Sequence, residues 1–315
     1  MGRNCMQIKK VALIGAGAIG GYFIWGLAKS MGDNFMVVAE GERRERLLRD
    51  GMVINGAHFP LNVQTPQQAH GADLLLVATK YAGLPSALPE IQAVTDDHTI
   101  VMSLLNGVDS EEIIATAIPE RQIVNAYMKI SSMRTEAGVV FDPEVTTGLM
   151  YGEKHTPEKT ERCAAVEAFF ADKPVRTTFV PDIMTQQWTK YARNISMNLP
   201  QAILGVGIGA YEDSEYLLAY SKKLEDEVRT VAAAYGYPLE PLERPHMGYR
   251  KLNRYSTLQD LDAGRHTEIE MFCGVLMKKA AAKNIAVPYA EGAYDLIKTL
   301  EEKNDGKFDY AEDET

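Results

Sequence analysis

Lys190, Asn194 and Asn198 recur at intervals of four residues in the run Gln186-Gln-Trp-Thr-Lys190-Tyr-Ala-Arg-Asn194-Ile-Ser-Met-Asn198. On a helix that spacing puts all three side chains along one slowly drifting face. A lysine can donate a proton and supply a point of positive charge. Asparagine disfavours helix interiors, yet its amide suits hydroxyl and carboxylate oxygens. The stripe reads either as a hydrogen-bonding surface for a small polar ligand or as an ordinary exposed face, and spacing alone leaves both open. Histidine offers no clear rival. His58, His70, His98, His155, His246 and His266 show no obvious catalytic setting, and only His266 lies near other polar candidates.

Two later polar clusters stand between helical stretches: Asn253-Arg-Tyr-Ser256-Thr-Leu-Gln259-Asp260 and Gly264-Arg-His-Thr267-Glu268-Ile-Glu270. Ser256 with Gln259, and Thr267 with Glu270, each fit a capping box at a helix start. That accounts for Glu270 structurally. Glu268 is left over, about 160° away from Glu270 around a helix of 3.6 residues per turn.

Near the N-terminus, Val11-Ala-Leu-Ile-Gly15-Ala16-Gly17-Ala18-Ile19-Gly20 is a G-x-G-x-x-G that follows an apolar strand and opens a helix. Gly15 permits the tight turn, Gly17 lets backbone approach a pyrophosphate, and Gly20 lets helix and strand pack closely. Free N–H groups at the helix start then face the phosphate charge. Gly15, Ala16, Gly17, Ala18, Ile19 and Gly20 are therefore dinucleotide-binding candidates. Glu40 lies past the second strand, about 20 residues beyond Gly20, where a carboxylate accepts bonds from a free ribose 2′-hydroxyl. Arg43 and Arg44 follow it and suit a 2′-phosphate instead, or are simply surface charges. NADH and NADPH both stay open.

Behind these candidates stands an alternation of apolar runs and amphipathic stretches, the mark of βαβ units and a parallel sheet. Strands are expected at Val11–Ile14, Phe35–Ala39, Asp73–Thr79, Thr99–Leu105 and Ile123–Ile130, with helices at Gly20–Met31 and Glu42–Asp50. Met52–Ile54 and Phe59–Leu61 flank a turn at Asn55-Gly56, and a meander from Gly138 to Gly152 is expected to close the sheet. From Asp182 onward the pattern is helical, over Met184–Asn198, Glu212–Tyr235, Thr267–Lys283 and Tyr289–Glu301. The fold class is thus α/β: a Rossmann-type dinucleotide-binding domain over 1–181 and an all-helical domain over 182–315, ending in a frayed acidic tail.

The 315 residues suffice for two cores. At 46% hydrophobic and 24% charged the chain is globular, and a formal net charge of −10 argues against nucleic acid or an anionic membrane as partner. An anionic substrate would need its own local positive field. Cys5, Cys163 and Cys273 lie far apart, which suits a reducing cytoplasm and gives no sign of a disulfide frame or a metal site. The short polar N-terminus reads as no secretory signal, and no apolar run reaches the roughly 20 residues of a membrane span.

Taken in order, these motifs resemble the ketopantoate reductase (2-dehydropantoate 2-reductase) family over nearly the whole chain. Thr79-Lys80 is similar to its strand-end lysine and Leu105-Asn106-Gly107-Val108 to its Asn-Gly turn. Lys190, Asn194 and Asn198 match its K-x-x-x-N-x-x-x-N helix, and Asn253, Ser256 and Gly264 to Ile269 match its C-terminal signature. The resemblance implies reduction of ketopantoate to pantoate by NAD(P)H in pantothenate and coenzyme A biosynthesis. It implies Lys190 as proton donor and Glu268 as the residue that orients it or binds the substrate hydroxyl. Asn106, Asn194, Asn198, Asn253 and Ser256 would bind substrate in a cleft between the domains, with Lys80, Asn106 and Glu268 also reaching the cofactor. One departure stands out: the family usually carries an arginine for the 2′-phosphate where this chain has Glu40, which favours NADH unless Arg43 or Arg44 compensates. A homodimer through the helical domain is expected. The competing readings are a reductase of another small branched 2-oxo acid and a dinucleotide-binding redox sensor without turnover.

Overall fold

The computed structural model describes residues 6–243 and 250–310; Cys5, His246 and residues 311–315 of the tail lie outside them. The chain divides into two compact units, Met1–Met184 and Thr185–Thr315.

The first unit is built on β1 (Val11–Ile14), β2 (Phe35–Val38), β5 (Val63–Gln64), β6 (Leu74–Val77) and β7 (Ile100–Ser103), in the order β5-β2-β1-β6-β7. All pairings are parallel, with Leu13 opposite Val37 on one side and Leu76 on the other. Four of these strands, Val-Ala-Leu-Ile, Phe-Met-Val-Val, Leu-Leu-Leu-Val and Ile-Val-Met-Ser, are buried at every position. A strand covered on both faces needs no polar alternation. The pleat still sorts its residues. Val11 and Leu13 enter one core with Phe23 and Leu27 of α1 (Ala18–Met31), while Ala12 and Ile14 enter another with Leu84, Ala87, Ile91 and Val94 of α3 (Leu84–Val94). After β2 comes α2 (Gly41–Asp50), which has no buried residue.

The expected hairpin is present, with its second strand starting two residues earlier: β3 (Met52–Ile54) pairs antiparallel with β4 (Ala57–Phe59). Asn55 and Gly56 between them both have positive φ, 48° and 79°, the backbone of a type I′ turn. The meander does not close the parallel sheet as expected. β9 (Ser132–Thr135) and β10 (Gly138–Phe141) join β3 and β4 in a second sheet, and β11 (Gly148–Gly152) lies between β8 (Asn125–Lys129) and β12 (Thr177–Phe179) in a third. Local backbone contacts explain the diversion. The Asn55 side chain accepts from the Phe141 N–H at 3.0 Å, and its own N–H donates to Val139, capturing β10 for the hairpin. The first unit also holds α4 (Ser110–Ile114) and α5 (Glu161–Phe170).

Among the described residues after β12 there is no strand. Helix α6 (Ile183–Leu204) is followed by α7 (Ala210–Asp213), α8 (Glu215–Ala234), α9 (Ser256–Asp262), α10 (Val275–Ala281) and α11 (Pro288–Asn304). The expected helix over Glu212–Tyr235 is broken at Ser214, which stays extended and caps α8 by accepting from the Leu217 N–H. Pro200 lies inside α6 and cannot donate to the Ser196 carbonyl. The hydroxyl of Ser221 on α8 donates to that carbonyl instead.

Neither expected capping box forms. The N-cap of α9 is Tyr255, without a side-chain bond, and Gln259 donates to the Arg254 carbonyl at 2.7 Å. Thr267 turns to Glu301, while Glu270 accepts from the Tyr294 hydroxyl at 2.6 Å. The helix expected over Thr267–Lys283 opens as a π-helical turn, Glu270–Gly274, before α10. No helix among the described residues is long and apolar enough to cross a membrane.

Candidate functional site

In the first unit the candidates gather at the C-terminal ends of neighbouring parallel strands. Gly15 has φ +105°, and a Cβ there would lie 2.4 Å from the Ala78 carbonyl group. A Cβ on Gly20 would lie 2.0 Å from the Gly15 oxygen. Both positions admit only glycine, because backbone packs against backbone. Gly17 differs: nothing lies within 4 Å of where its Cβ would be. It is the N-cap of α1, makes no side-chain cap bond, and the first turn carries no acid. The helix therefore presents its first N–H groups beside open space, which fits a pyrophosphate.

The same packing brings the next candidates alongside. Ala78 donates to the Ile14 carbonyl at 2.7 Å, so Thr79 and Lys80 leave β6 beside the glycine loop. Thr79 Oγ1 is buried there with no hydrogen-bond partner. Leu104 donates to Val77 at 2.8 Å, which carries Asn106 past the adjacent strand end; Gly107 turns the chain with φ 97°. The Tyr81 hydroxyl donates to Asp109 at 2.7 Å and ties these two loops together. Glu40 is exposed as the N-cap of α2. Glu90 on α3 feels both neighbouring charges: burial pushes its carboxyl up, Arg43 pulls it down and Glu40 pushes it up again. Arg44 has its Nε buried without a partner.

In the second unit α6 organises the rest. Lys190 and Asn194 are half-buried and Asn198 is buried. Gln201 continues the same stripe three residues on and is wholly buried. Its amide donates to the Asn253 carbonyl at 3.1 Å and accepts from the Tyr255 N–H at 2.7 Å, anchoring the backbone that carries exposed Asn253 and Ser256. Glu268, half-buried, stands in a bend, and its carbonyl accepts from Phe272. Tyr191 reaches the turn that follows it, donating to the Met271 and Phe272 carbonyls. Trp188 packs edge-on to Tyr191 and stacks on Tyr235, which fixes the helix beneath the stripe.

Two family models match the chain. The one described as Ketopantoate reductase PanE/ApbA covers residues 11–149, and Ketopantoate reductase PanE/ApbA C terminal covers residues 182–301. The chain belongs to the ketopantoate reductase family. That family consists of NAD(P)H-dependent oxidoreductases. A 2-dehydropantoate 2-reductase from Archaeoglobus fulgidus is 28% identical over 300 residues, spanning 94% of this chain and 99% of the relative. The fold is similar to that of a PanE/ApbA family ketopantoate reductase from Ralstonia eutropha JMP134, with TM-score 0.77, 23% identity, and 94% and 99% of the two chains covered. A D-mandelate dehydrogenase solved with NADH and anilino(oxo)acetate has the same TM-score, 0.77, at 20% identity, with 94% and 99% covered.

The five described histidines of this ketopantoate reductase homologue serve surface structure. All are exposed: His58 meets the Asp50 carbonyl, His70 the Ala93 carbonyl, His98 Asp96, His155 Glu120 and His266 Asp305. Sequence inspection missed Gln201 and Tyr191. Gln201 was within reach, since it extends the Lys190–Asn194–Asn198 stripe by one more helical step. Tyr191 carried no signal, because an aromatic beside a polar stripe is ordinary core.

Proposed function

We propose that the chain reduces a 2-oxo acid, with ketopantoate as its substrate, to the corresponding 2-hydroxy acid, using NADH. The observation that carries this is the α6 face: one lysine and two asparagines in line, with Gln201 and Tyr191 of the same helix holding the Asn253 and Glu268 segments. A nicotinamide dinucleotide, when bound, supplies the hydride. Gly15, Ala16, Gly17, Ala18, Ile19 and Gly20 would hold its pyrophosphate, Glu40 its ribose hydroxyls, and Lys80, Asn106 and Glu268 its reactive end.

Lys190 then gives its proton to the C2 oxygen as charge develops there, and its positive charge stabilises that oxygen before transfer is complete. Glu268 orients the Lys190 ammonium or accepts the substrate hydroxyl. Asn106, Asn194, Asn198, Asn253 and Ser256 bind the carboxylate and hydroxyl through neutral dipoles, so the lysine supplies the local positive field within a chain of net charge −10. A preference for NADH is supported by Glu40, the exposed N-cap of α2, whose carboxylate would repel a 2′-phosphate. The free, buried thiols of Cys163 and Cys273 accord with a reducing cytoplasm.

The test is steady-state reduction of ketopantoate by the purified protein, with NADH and NADPH side by side. Turnover with NADH supports both parts. Turnover with NADPH alone keeps the reaction and removes the role given to Glu40. Turnover only with other branched 2-oxo acids moves the substrate, and none with any would favour a dinucleotide sensor.

A further inference from the structure

The segment bearing Glu268 is held from two sides by residues that have no place in the chemistry just described. After it comes the π-helical turn Glu270–Gly274. Such a turn widens the helix and shifts its bonds from the i+4 to the i+5 donor, so it is rare and tends to persist at functional sites. Tyr191, 1% exposed, supports it from α6. Its hydroxyl donates to the Met271 carbonyl at 3.2 Å and also to that of Phe272. Before Glu268 comes Thr267, whose N–H and hydroxyl both donate to one oxygen of Glu301, at 2.8 and 2.7 Å. Glu301 is 2% exposed, and Lys298 donates to its other oxygen at 2.9 Å. Glu268 thus stands between two fixed points, one on α6 next to Lys190 and one on α11.

We infer that Tyr191 and Glu301 are positioning residues of the reduction, clamping the chain on either side of Glu268 so that its carboxylate keeps one orientation. The role of Glu268 itself rests on the reductase reading. The clamp works through backbone and Thr267 alone, so neither residue needs to touch substrate. A buried glutamate costs free energy unless fully paired, and here every partner but Lys298 lies on the Glu268 segment or beside it.

The test compares Tyr191→Phe and Glu301→Gln with Tyr235→Phe, which removes an equivalent hydroxyl donating to the Lys279 carbonyl at 3.1 Å. Backbone hydrogen exchange on the protein without ligands should rise about tenfold over residues 268–275 in Tyr191→Phe and over 265–269 in Glu301→Gln, with neither stretch altered in Tyr235→Phe. With the 2-oxo acid, kcat should fall about tenfold in the first two variants while KM and NADH affinity stay within about twofold. Unchanged exchange overturns the inference whatever the activity. Faster exchange with unchanged kcat also overturns it, reducing both residues to scaffolding. Absence of wild-type turnover sinks the reductase reading separately, and the clamp is then decided by exchange alone.

Discussion

The buried Gln201 amide binds the Asn253 carbonyl at 3.1 Å, joining the last turn of α6 to the loop that carries two substrate-binding candidates. Replacing Gln201 by Met keeps the volume and removes both bonds. We expect KM for the 2-oxo acid to rise about tenfold, equivalent to roughly 1.4 kcal/mol of binding, with NADH affinity unaltered. A KM equal to wild type would dissociate the loop from substrate binding.

Lys190→Ala should lower kcat by about a hundredfold or more, the usual span for loss of a positioned proton donor. NADH titration followed by fluorescence should still show binding, because the glycine loop is untouched. A variant with most of its turnover would assign the proton to another group.

Gly15→Ala and Gly17→Ala should separate folding from binding. The first meets the Ala78 backbone at a positive φ and should destabilise the protein by about 1–3 kcal/mol in urea unfolding. The second meets nothing and should unfold like wild type while binding NADH much more weakly. Equal behaviour of the two would remove the distinction drawn between turn and approach.

Glu40→Arg should raise kcat/KM for NADPH relative to NADH by about 10–100-fold, as a charge-assisted contact replaces a repulsion. An unchanged ratio would transfer ribose discrimination to Arg43 or Arg44.

The Glu301 carboxyl is pushed up by burial, but bonds from Lys298 and Thr267 outweigh this and hold it below the ordinary carboxylate range. A group depressed in the folded state contributes fully above its unfolded pKa and loses that contribution as pH falls through the folded value. The stability gap between wild type and Glu301→Gln should therefore narrow on acidification, measured by urea unfolding at stepped pH. A gap independent of pH would contradict the pairing.

Much of the first unit was legible because its central strands are unbroken apolar runs, and full burial leaves that trace in the sequence. The sheet membership of β9 and β10 was not, since it depends on β3, more than eighty residues away, with Asn55 as partner for Phe141. The Lys190 stripe was visible through its spacing. What holds the stripe's surroundings was not: Ser256 and Thr267 each had a convincing local use as caps, yet Gln259 turns to the Arg254 carbonyl and Thr267 to Glu301. The π-helical turn has no pattern of its own to read.

Pro200 has a wider consequence. Because Ser221 replaces the bond that the proline deletes, continuity of α6 is not a local property of its own residues. Helix propagation through residue 200 depends on α8 already lying beside it, so α6 should lose its last turn if cut out as a peptide. The hydrogen bonds of Gln201 lie beyond that break. Substrate binding as proposed would therefore inherit the cooperativity of the helices around α6, and partial unfolding of α8 would be felt first as loss of substrate affinity.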